Sequence, residues 1–203
     1  MTPIIVFAKA PVPGAVKTRL QPRLTAEEGA RLHTRLVERT LRLALHAAVG
    51  AVELCGAPDA THPFFAQCAE RFDVTLTAQG PGDLGLRMAN ALARRIATDG
   101  AAILIGTDCP ALDAAYLRAA ADSLHRDDVV IGPAEDGGYV LIAARRVVPE
   151  MLTAIEWGTE RVLAATRARL AAAQVPHREL ATLWDLDRPA DYERYVRSGW
   201  ADE

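Results

Sequence analysis

The sequence predicts an α/β fold, a mostly parallel central sheet with helices on both faces, formed as a single domain over residues 1–203. Three observations predict it. Short apolar runs alternate with longer stretches of helical periodicity, and strands joined through helices run parallel because a parallel pair needs a crossover connection. The chain is long enough to bury one substantial core. No internal repeat, low-complexity tract or linker-like stretch divides it.

The elements follow in order. Residues 3–8 (Pro-Ile-Ile-Val-Phe-Ala) form a short apolar run that ends in a loop rich in Pro and Gly, the pattern of a buried strand. From Thr25 to Ala48, Leu32, Leu36, Leu43 and Ala47 recur at helical spacing. Thr25 stands at the cap position with Glu28 three residues on, which predicts a capping box. Further strands are expected at 51–55, 73–77, 101–106, 128–132, 139–143 and 177–181. Helices are expected at 62–71, 84–98, 113–125, 159–173 and 189–197. In the 159–173 helix Val162, Leu163, Ala165 and Leu170 either meet the sheet or form a dimer face, and the core reading is preferred, so the chain is expected to be a monomer or a homodimer.

Composition excludes several classes. Hydrophobic residues make up 50% and charged residues 24%, which rules out wholesale disorder. A net charge of −3 leaves no basic footprint for binding a nucleic acid polymer. Cys55, Cys68 and Cys109 lack metal-like spacing and are odd in number, so reduced thiols are expected. No run of about 18 apolar residues and no basic lead into a hydrophobic stretch occurs, so a cytoplasmic protein without membrane contact is expected.

Four segments carry the chemistry. In Lys9 to Leu20, Gly14 and two prolines precede Lys17 and Arg19. Open amides and fixed cations in a loop after the first strand suit phosphate, although the glycine–lysine spacing is not that of a Walker loop. In Ile103 to Leu112 an apolar strand delivers Asp108 to its carboxyl end, where it either binds magnesium or caps the next turn; Cys109 is expected to be a packed thiol. In Gly132 to Ile142, Glu135 and Asp136 precede Gly137 and Gly138. This is a tight connection in which both glycines can take positive φ, and it is either a plain hairpin turn or a place where a sugar or phosphate approaches the backbone; Tyr139 is expected to pack in the core. In Trp184 to Tyr192, Asp185 and Asp187 lie two apart and face the same way if extended. Either is a second metal carboxylate, and Asp187 is alternatively a helix cap. A further glycine-rich stretch, Gln79 to Asn90, offers Gly82, Asp83, Arg87 and Asn90 for nucleotide contact, with Asp83 equally placed to cap a helix.

In their order these segments resemble the nucleotide-sugar transferases of the GT-A type. The resemblance is closer to a family of glycosyltransferase-like proteins encoded beside radical-SAM genes and associated with arsenosugar biosynthesis. Lys9-Ala-Pro through Lys17-Thr-Arg-Leu, Gly82-Asp-Leu-Gly, Gly106-Thr-Asp-Cys-Pro, Gly132-Pro through Asp136-Gly-Gly-Tyr and Asp185-Leu-Asp-Arg-Pro-Ala-Asp carry it, across nearly the whole chain. A looser similarity is to 2-phospholactate guanylyltransferase and other small nucleotidyltransferases. These resemblances imply a Rossmann-like GT-A fold, Mg2+ (or Mn2+) on Asp108 with Asp185 or Asp187, and phosphates on Lys17 and Arg19. With Lys9, Gly14, Gly82, Asp83 and Arg87 these two make up the expected nucleotide site; Glu135, Asp136, Gly137 and Gly138 are the expected substrate contacts. Lys17, Asp108 and Asp136 are the expected catalytic residues. The strand-end acid is a single Asp108 in Gly-Thr-Asp-Cys, without the Asp-x-Asp of many glycosyltransferases. The leading expectation is glycosyl transfer from a nucleotide sugar to a small-molecule acceptor. The alternatives are nucleotidyl transfer from a nucleoside triphosphate to a phosphorylated small molecule and a non-catalytic nucleotide-binding module.

Overall fold

The computed structural model describes residues 1–21, 23–147 and 149–200. Seven strands form one sheet: β1 (Ile4–Lys9), β2 (Val52–Ala57), β3 (Thr75–Ala78), β4 (Ala102–Ile105), β5 (Val129–Pro133), β6 (Tyr139–Ala144) and β7 (His177–Glu179). Their order across the sheet is β3-β2-β1-β4-β6-β5-β7. β6 runs antiparallel to both its neighbours, β4 and β5, and every other pairing is parallel. The fold is therefore α/β with a mostly parallel sheet, as the alternation predicted.

Among the described residues six α-helices cover the sheet: α1 (Ala26–Ala47), α2 (Pro63–Phe72), α3 (Leu84–Asp99), α4 (Ala114–Ser123), α5 (Val162–Ala172) and α6 (Pro189–Arg197). Alternate strand residues meet opposite layers, as a period of two requires. Ile4 and Val6 join Val37 and Leu41 of α1, Phe64 and Phe65 of α2 and Leu117 of α4 in one buried cluster. Ile5 and Phe7 join Met88 and Leu92 of α3 and Leu163 and Leu170 of α5 in another. The expected α5 pattern thus meets the core. A third cluster of Leu20, Leu32, Leu36, Trp184, Leu186 and Tyr195 ties the loop after β1 to the segment before α6.

The predicted capping box is present, with Thr25 N–H donating to Glu28 at 2.8 Å and Glu28 N–H donating to the Thr25 hydroxyl at 3.2 Å. Several boundaries differ from expectation for local reasons. β3 begins at Thr75, not residue 73, because Asp73 ends α2 in the left-handed region at φ 51°. α5 begins at Val162, not 159, because Gly158 at φ 80° turns the chain out of helical conformation and the Thr159 hydroxyl donates to Glu156 O at 2.8 Å. Asp187 is not the cap of α6: that position is Arg188, and the Asp191 carboxylate accepts from Arg188 N–H at 2.7 Å. Of the glycine pair expected at positive φ, Gly137 alone has it, at 86°. Among the described residues no helix is long and apolar enough to cross a membrane.

Candidate functional site

β1 lies between β2 and β4, so the chain moves outward in one direction from β1 to β2 and β3, then returns to pair β4 on the other side. Such a switch in direction opens a crevice at the carboxyl ends of the two central strands. The loop leaving β1 and the residues leaving β4 both enter it. Between Lys9 and Leu20 the chain turns at Gly14, at φ 79°, and then at Lys17, which is itself left-handed at φ 52° and ψ 31°. A non-glycine residue in that region is held there by its surroundings. Here the hold is visible: Lys17 Nζ donates to Leu186 O at 2.6 Å and lies 2.8 Å from Asp108 Oδ1, with the lysine side chain 3% exposed.

The segment 183–187 closes the crevice from above. Leu183 pairs with Ala134, Glu135 N–H donates to Leu183 O at 2.9 Å, and Leu186 N–H donates to Asp108 O at 2.7 Å. These bonds stretch the segment from the end of β5 to the end of β4. Asp185 thereby comes within electrostatic reach of Asp136, Asp187 and Asp108. Burial and these three like charges push its carboxyl up to about 6. Asp108 goes the other way. Burial acts to raise it, but Lys17, His33 and Lys9 outweigh that and hold it below the usual carboxylate range. Its side chain remains 53% exposed to the crevice.

Three contiguous cavities meet at these carboxylates. A polar one of about 320 Å³ is lined by Lys9, Lys17, Thr18, Arg19, His33, Asp108 and Asp187. A second polar cleft of about 490 Å³ shares Arg19 and Asp187 with it and adds Glu135, Asp136, Asp185 and Arg161. The third, about 220 Å³, is mostly apolar and shares Asp136 and Asp185 with the second. Arg19 donates to Asp187 at 2.6 Å while its side chain stays 57% exposed, so the guanidinium is tethered to the carboxylates at the solvent-facing rim.

The structure brings Lys9, Lys17, Arg19, Asp108, Asp136, Asp185 and Asp187 together. Glu135 lines the same cleft with its carboxylate held by Arg194 at 2.9 Å, and Asp136 Oδ1 accepts from Gly138 N–H at 2.8 Å. Gly138 and Gly106 line the apolar cavity. Gly137 does not offer its backbone to a ligand, contrary to the approach expected there: a Cβ at that position would lie 2.2 Å from Glu160 O, so the close approach is made by the chain itself. Gly14 is a turn with open space around it. In the stretch after β3 the cap reading of Asp83 holds. Asp83 caps α3 by accepting from Leu86 N–H at 2.8 Å, and a Cβ on Gly82 would meet the Leu86 side chain. Arg87 donates to Gln79 at 3.1 Å, and Gln79 in turn donates to the Ala8 and Cys55 carbonyls. None of Gly82, Asp83 and Arg87 lines the three cavities. Asn90 is absent from their linings as well.

Sequence reasoning missed His33. Buried on α1, it faces Lys9 O through Nε2 at 2.9 Å, and its Nδ1 lies 3.9 Å from Asp108 Oδ1. Burial lowers its pKa more than Asp108 raises it, which favours the neutral ring donating from Nε2 to the carbonyl. A polar residue among the apolar positions of a helix was the available signal. Cys109 is buried and its thiol is pushed up to about 12 by burial, so it is not an activated nucleophile. Among the described residues no group of three or more His, Cys, Asp and Glu side chains is arranged to hold a metal ion.

The fold is shared with nucleotide-handling transferases. A protein from Desulfovibrio desulfuricans G20, provisionally named a nucleotide-diphospho-sugar transferase, is 29% identical, with a TM-score of 0.88 over 98% of this chain and 88% of that one. A nucleotidyl transferase from Methanothermobacter thermautotroptrophicus is 17% identical, with a TM-score of 0.67 over 100% of this chain and 99% of the other. A Mycobacterium tuberculosis H37Rv protein solved in complex with manganese is 19% identical, with a TM-score of 0.59 over 98% of this chain and 100% of that one. No curated protein matches the sequence. The family model described as "Uncharacterized protein conserved in bacteria (DUF2064)" matches residues 40–159, more than half of the chain, and the chain belongs to that family.

Proposed function

We propose that the chain is a divalent-metal-dependent nucleotidyltransferase, which joins a nucleoside monophosphate from a triphosphate to a small acceptor and releases pyrophosphate. The observation that carries this reading is the pairing, across the switch point, of three cations with a group of carboxylates. Lys9, Lys17 and Arg19 line one cavity with Asp108 and Asp187, and Asp185 stands beside them. Three cations at the end of β1 and in the loop after it suit a triphosphate better than a diphosphate whose charge is already shared with a sugar. The name of the Methanothermobacter relative supports the same choice, so nucleotidyl transfer replaces glycosyl transfer as the leading reading. The arsenosugar and phospholactate resemblances narrow the acceptor no further, since none of the structures compared above carries either chemistry.

Mg2+ or Mn2+ fits the donor set. Magnesium takes one or two carboxylates and completes its octahedron with phosphates and water, so Asp108 with Asp185 or Asp187 suffices without a cage of three. Two features support the fit. Asp185 is raised by burial and, after it, by its like-charged neighbours, a repulsion that a cation relieves, and Asp108 already has a cation, the Lys17 ammonium, at 2.8 Å. When bound, the ion neutralises phosphate charge and orients the triphosphate.

The protein's own groups do the remainder. Lys9, Lys17 and Arg19 hold the triphosphate, and an acceptor oxygen attacks the α-phosphorus. The new P–O bond forms as the α–β bridge breaks, and pyrophosphate leaves with the electron pair. Lys17 offsets the charge that accumulates at the transition state. Where the acceptor is a hydroxyl, Asp136, exposed beside Asp185, takes the proton.

Glycosyl transfer is the second reading, favoured by the provisional name of the Desulfovibrio relative. The test is product analysis. With magnesium and a panel of phosphorylated and hydroxylated acceptors, nucleoside triphosphates are expected to yield pyrophosphate. Release of a nucleoside diphosphate from nucleotide sugars, with no pyrophosphate from triphosphates, overturns the proposal in favour of the second reading.

A further inference from the structure

His33 is a polar ring in a place where packing alone favours an apolar side chain. Of the chain's five histidines, all of them among the described residues, it alone is buried, at 4% exposure, near the buried Leu32, Leu36 and Val37 of the same helix. Burying such a ring costs free energy unless its nitrogens are used. Nε2 lies 2.9 Å from the Lys9 carbonyl oxygen, which can only accept, so Nε2 carries the proton and donates. That carbonyl needs a donor. Just before β1 the Pro3 carbonyl accepts from Ile103 N–H of β4 at 2.9 Å, and the alternation of a strand turns the carbonyls two, four and six residues on to the same side. The β1–β4 ladder stops at Val6 opposite Ile105. Lys9 O therefore lies past the last rung, where the chain leaves the sheet for the loop with Lys17 and Arg19, and His33 supplies the bond that no strand residue is there to make.

The same face of α1 carries the rest of the loop. One turn before His33 stands Gly29, where a Cβ would lie 3.5 Å from Lys17 Cβ and 3.6 Å from Val16 O, so the loop rests on the helix at Lys17. Across the crevice His33 Nδ1 is 3.9 Å from Asp108 Oδ1, beyond hydrogen-bond reach, while Lys17 Nζ is 2.8 Å from that oxygen. His33 lines the polar cavity of about 320 Å³ with Lys9, Lys17 and Asp108. It stands beside all three charged groups and is bonded to the backbone of the first.

We infer that His33 is a positioning residue for the phosphate site: by donating to the Lys9 carbonyl it fixes the start of the loop against α1, so that the Lys9 and Lys17 ammonium groups stand in place before a triphosphate arrives. This rests on the transferase reading above and deepens it. His33 acts through the loop backbone and not on the substrate, since the nitrogen that carries its proton is committed to the carbonyl. A loop ordered in advance loses less freedom on binding, and the gain appears as affinity for the phosphate chain.

The experiment is a calorimetric titration of the full chain and three variants with magnesium tripolyphosphate, which presents the phosphate chain without a base, at a temperature well below every Tm. His33→Leu keeps an apolar body and removes the donor, and is expected to weaken binding about fivefold or more, the scale of one hydrogen bond. His33→Gln, whose amide N–H reaches toward the same carbonyl, is expected to bind within about twofold of the unsubstituted chain. Thr40→Val removes another buried polar group of α1, a hydroxyl donating to Leu36 O at 2.8 Å, and is expected to lower Tm with affinity unchanged. Undiminished binding by His33→Leu, a His33→Gln variant as weak as His33→Leu, or an equal loss in Thr40→Val overturns the inference. A second reading needs no substitution. In the 15N-histidine-labelled chain the ring N–H protected from exchange with water is that of His33, and it is expected to shift when magnesium tripolyphosphate is added; an unmoved signal also overturns the inference. Absence of binding by the unsubstituted chain contradicts the transferase reading itself, and the role of His33 falls with it.

Discussion

Two ionic clusters in this molecule are built from the same residue types and behave in opposite ways. On β2, Glu53 is 0% exposed and is held by Arg94, by Arg95 at 2.7 Å and by the Thr77 hydroxyl. Burial acts to raise its pKa, and the bonds from Arg94, Thr77 and Arg95 outweigh that, so it stays ionised and balanced. It lines none of the three cavities at the strand ends. At the strand ends, Asp108, Asp136, Asp185 and Asp187 face Lys17 and Arg19 with carboxylates left over, open to three cavities. The first cluster is complete without a ligand. The second is held in a repulsive state that the proposed cation and phosphates would balance.

That contrast can be broken most severely at Asp108. Asp108→Asn is expected to lower turnover by about 10²–10³-fold well below Tm and also to lower Tm, because it removes charge stabilisation and leaves the buried Lys17 ammonium without its carboxylate. Steady-state pyrophosphate release and a melting curve on the same variant check it, and a variant with full activity would remove Asp108 from the metal site. Glu53→Ala is expected to cost stability alone. It leaves Arg94 and Arg95 without their partner and costs about 2–3 kcal/mol, discounted because Arg94 is 46% exposed, with nucleotide affinity unchanged. Urea unfolding beside nucleotide titration separates the two effects.

Asp185 sharpens the comparison through pH. Its pKa is raised in the folded state, so the folded chain favours its protonated form. That contribution is present in full below the ordinary carboxylate range and is lost as pH rises through about 6. Asp185→Asn is therefore expected to stabilise the ligand-free protein by about 1–2 kcal/mol at pH 7, a rise of a few degrees in Tm, and to do nothing near pH 4. In the unsubstituted protein, protons compete with the divalent ion at this carboxylate, so the magnesium-dependent rise in Tm is expected to grow between pH 5 and 7. The smallest effect is at the α3 cap. Asp83→Ala is expected to cost about 1 kcal/mol and leave nucleotide affinity intact; a loss of affinity there would restore Asp83 to the nucleotide site.

Much of this was legible in the sequence because local rules decided it. The alternation of apolar runs and helical periodicity reports the sheet, and Thr25 with Glu28 reports the start of α1, because caps and burial act over a few residues. Lys17, Asp108 and Asp185 were legible as candidates, since strand ends and Gly-Pro loops are where ligands gather in such folds. What was not legible depends on distant pairs. Glu53 with Arg94 and Arg95 is more than 40 residues apart in the chain. His33 reaches Lys9 only once α1 packs on β1. The antiparallel insertion of β6 between β4 and β5 follows from global topology, and the sequence marked only the turn that begins it. Gly137 was misread for the same reason, because the backbone it admits, at Glu160, arrives from the approach to α5.

The most direct test of the transferase account is a thermal-shift panel of nucleoside triphosphates and nucleotide sugars, with and without magnesium, on the natural sequence and on Lys17→Ala. At saturating ligand a magnesium-dependent rise of about 5 °C or more is expected for at least one nucleoside triphosphate, abolished by Lys17→Ala. A rise confined to nucleotide sugars, or one that Lys17→Ala leaves intact, would contradict it.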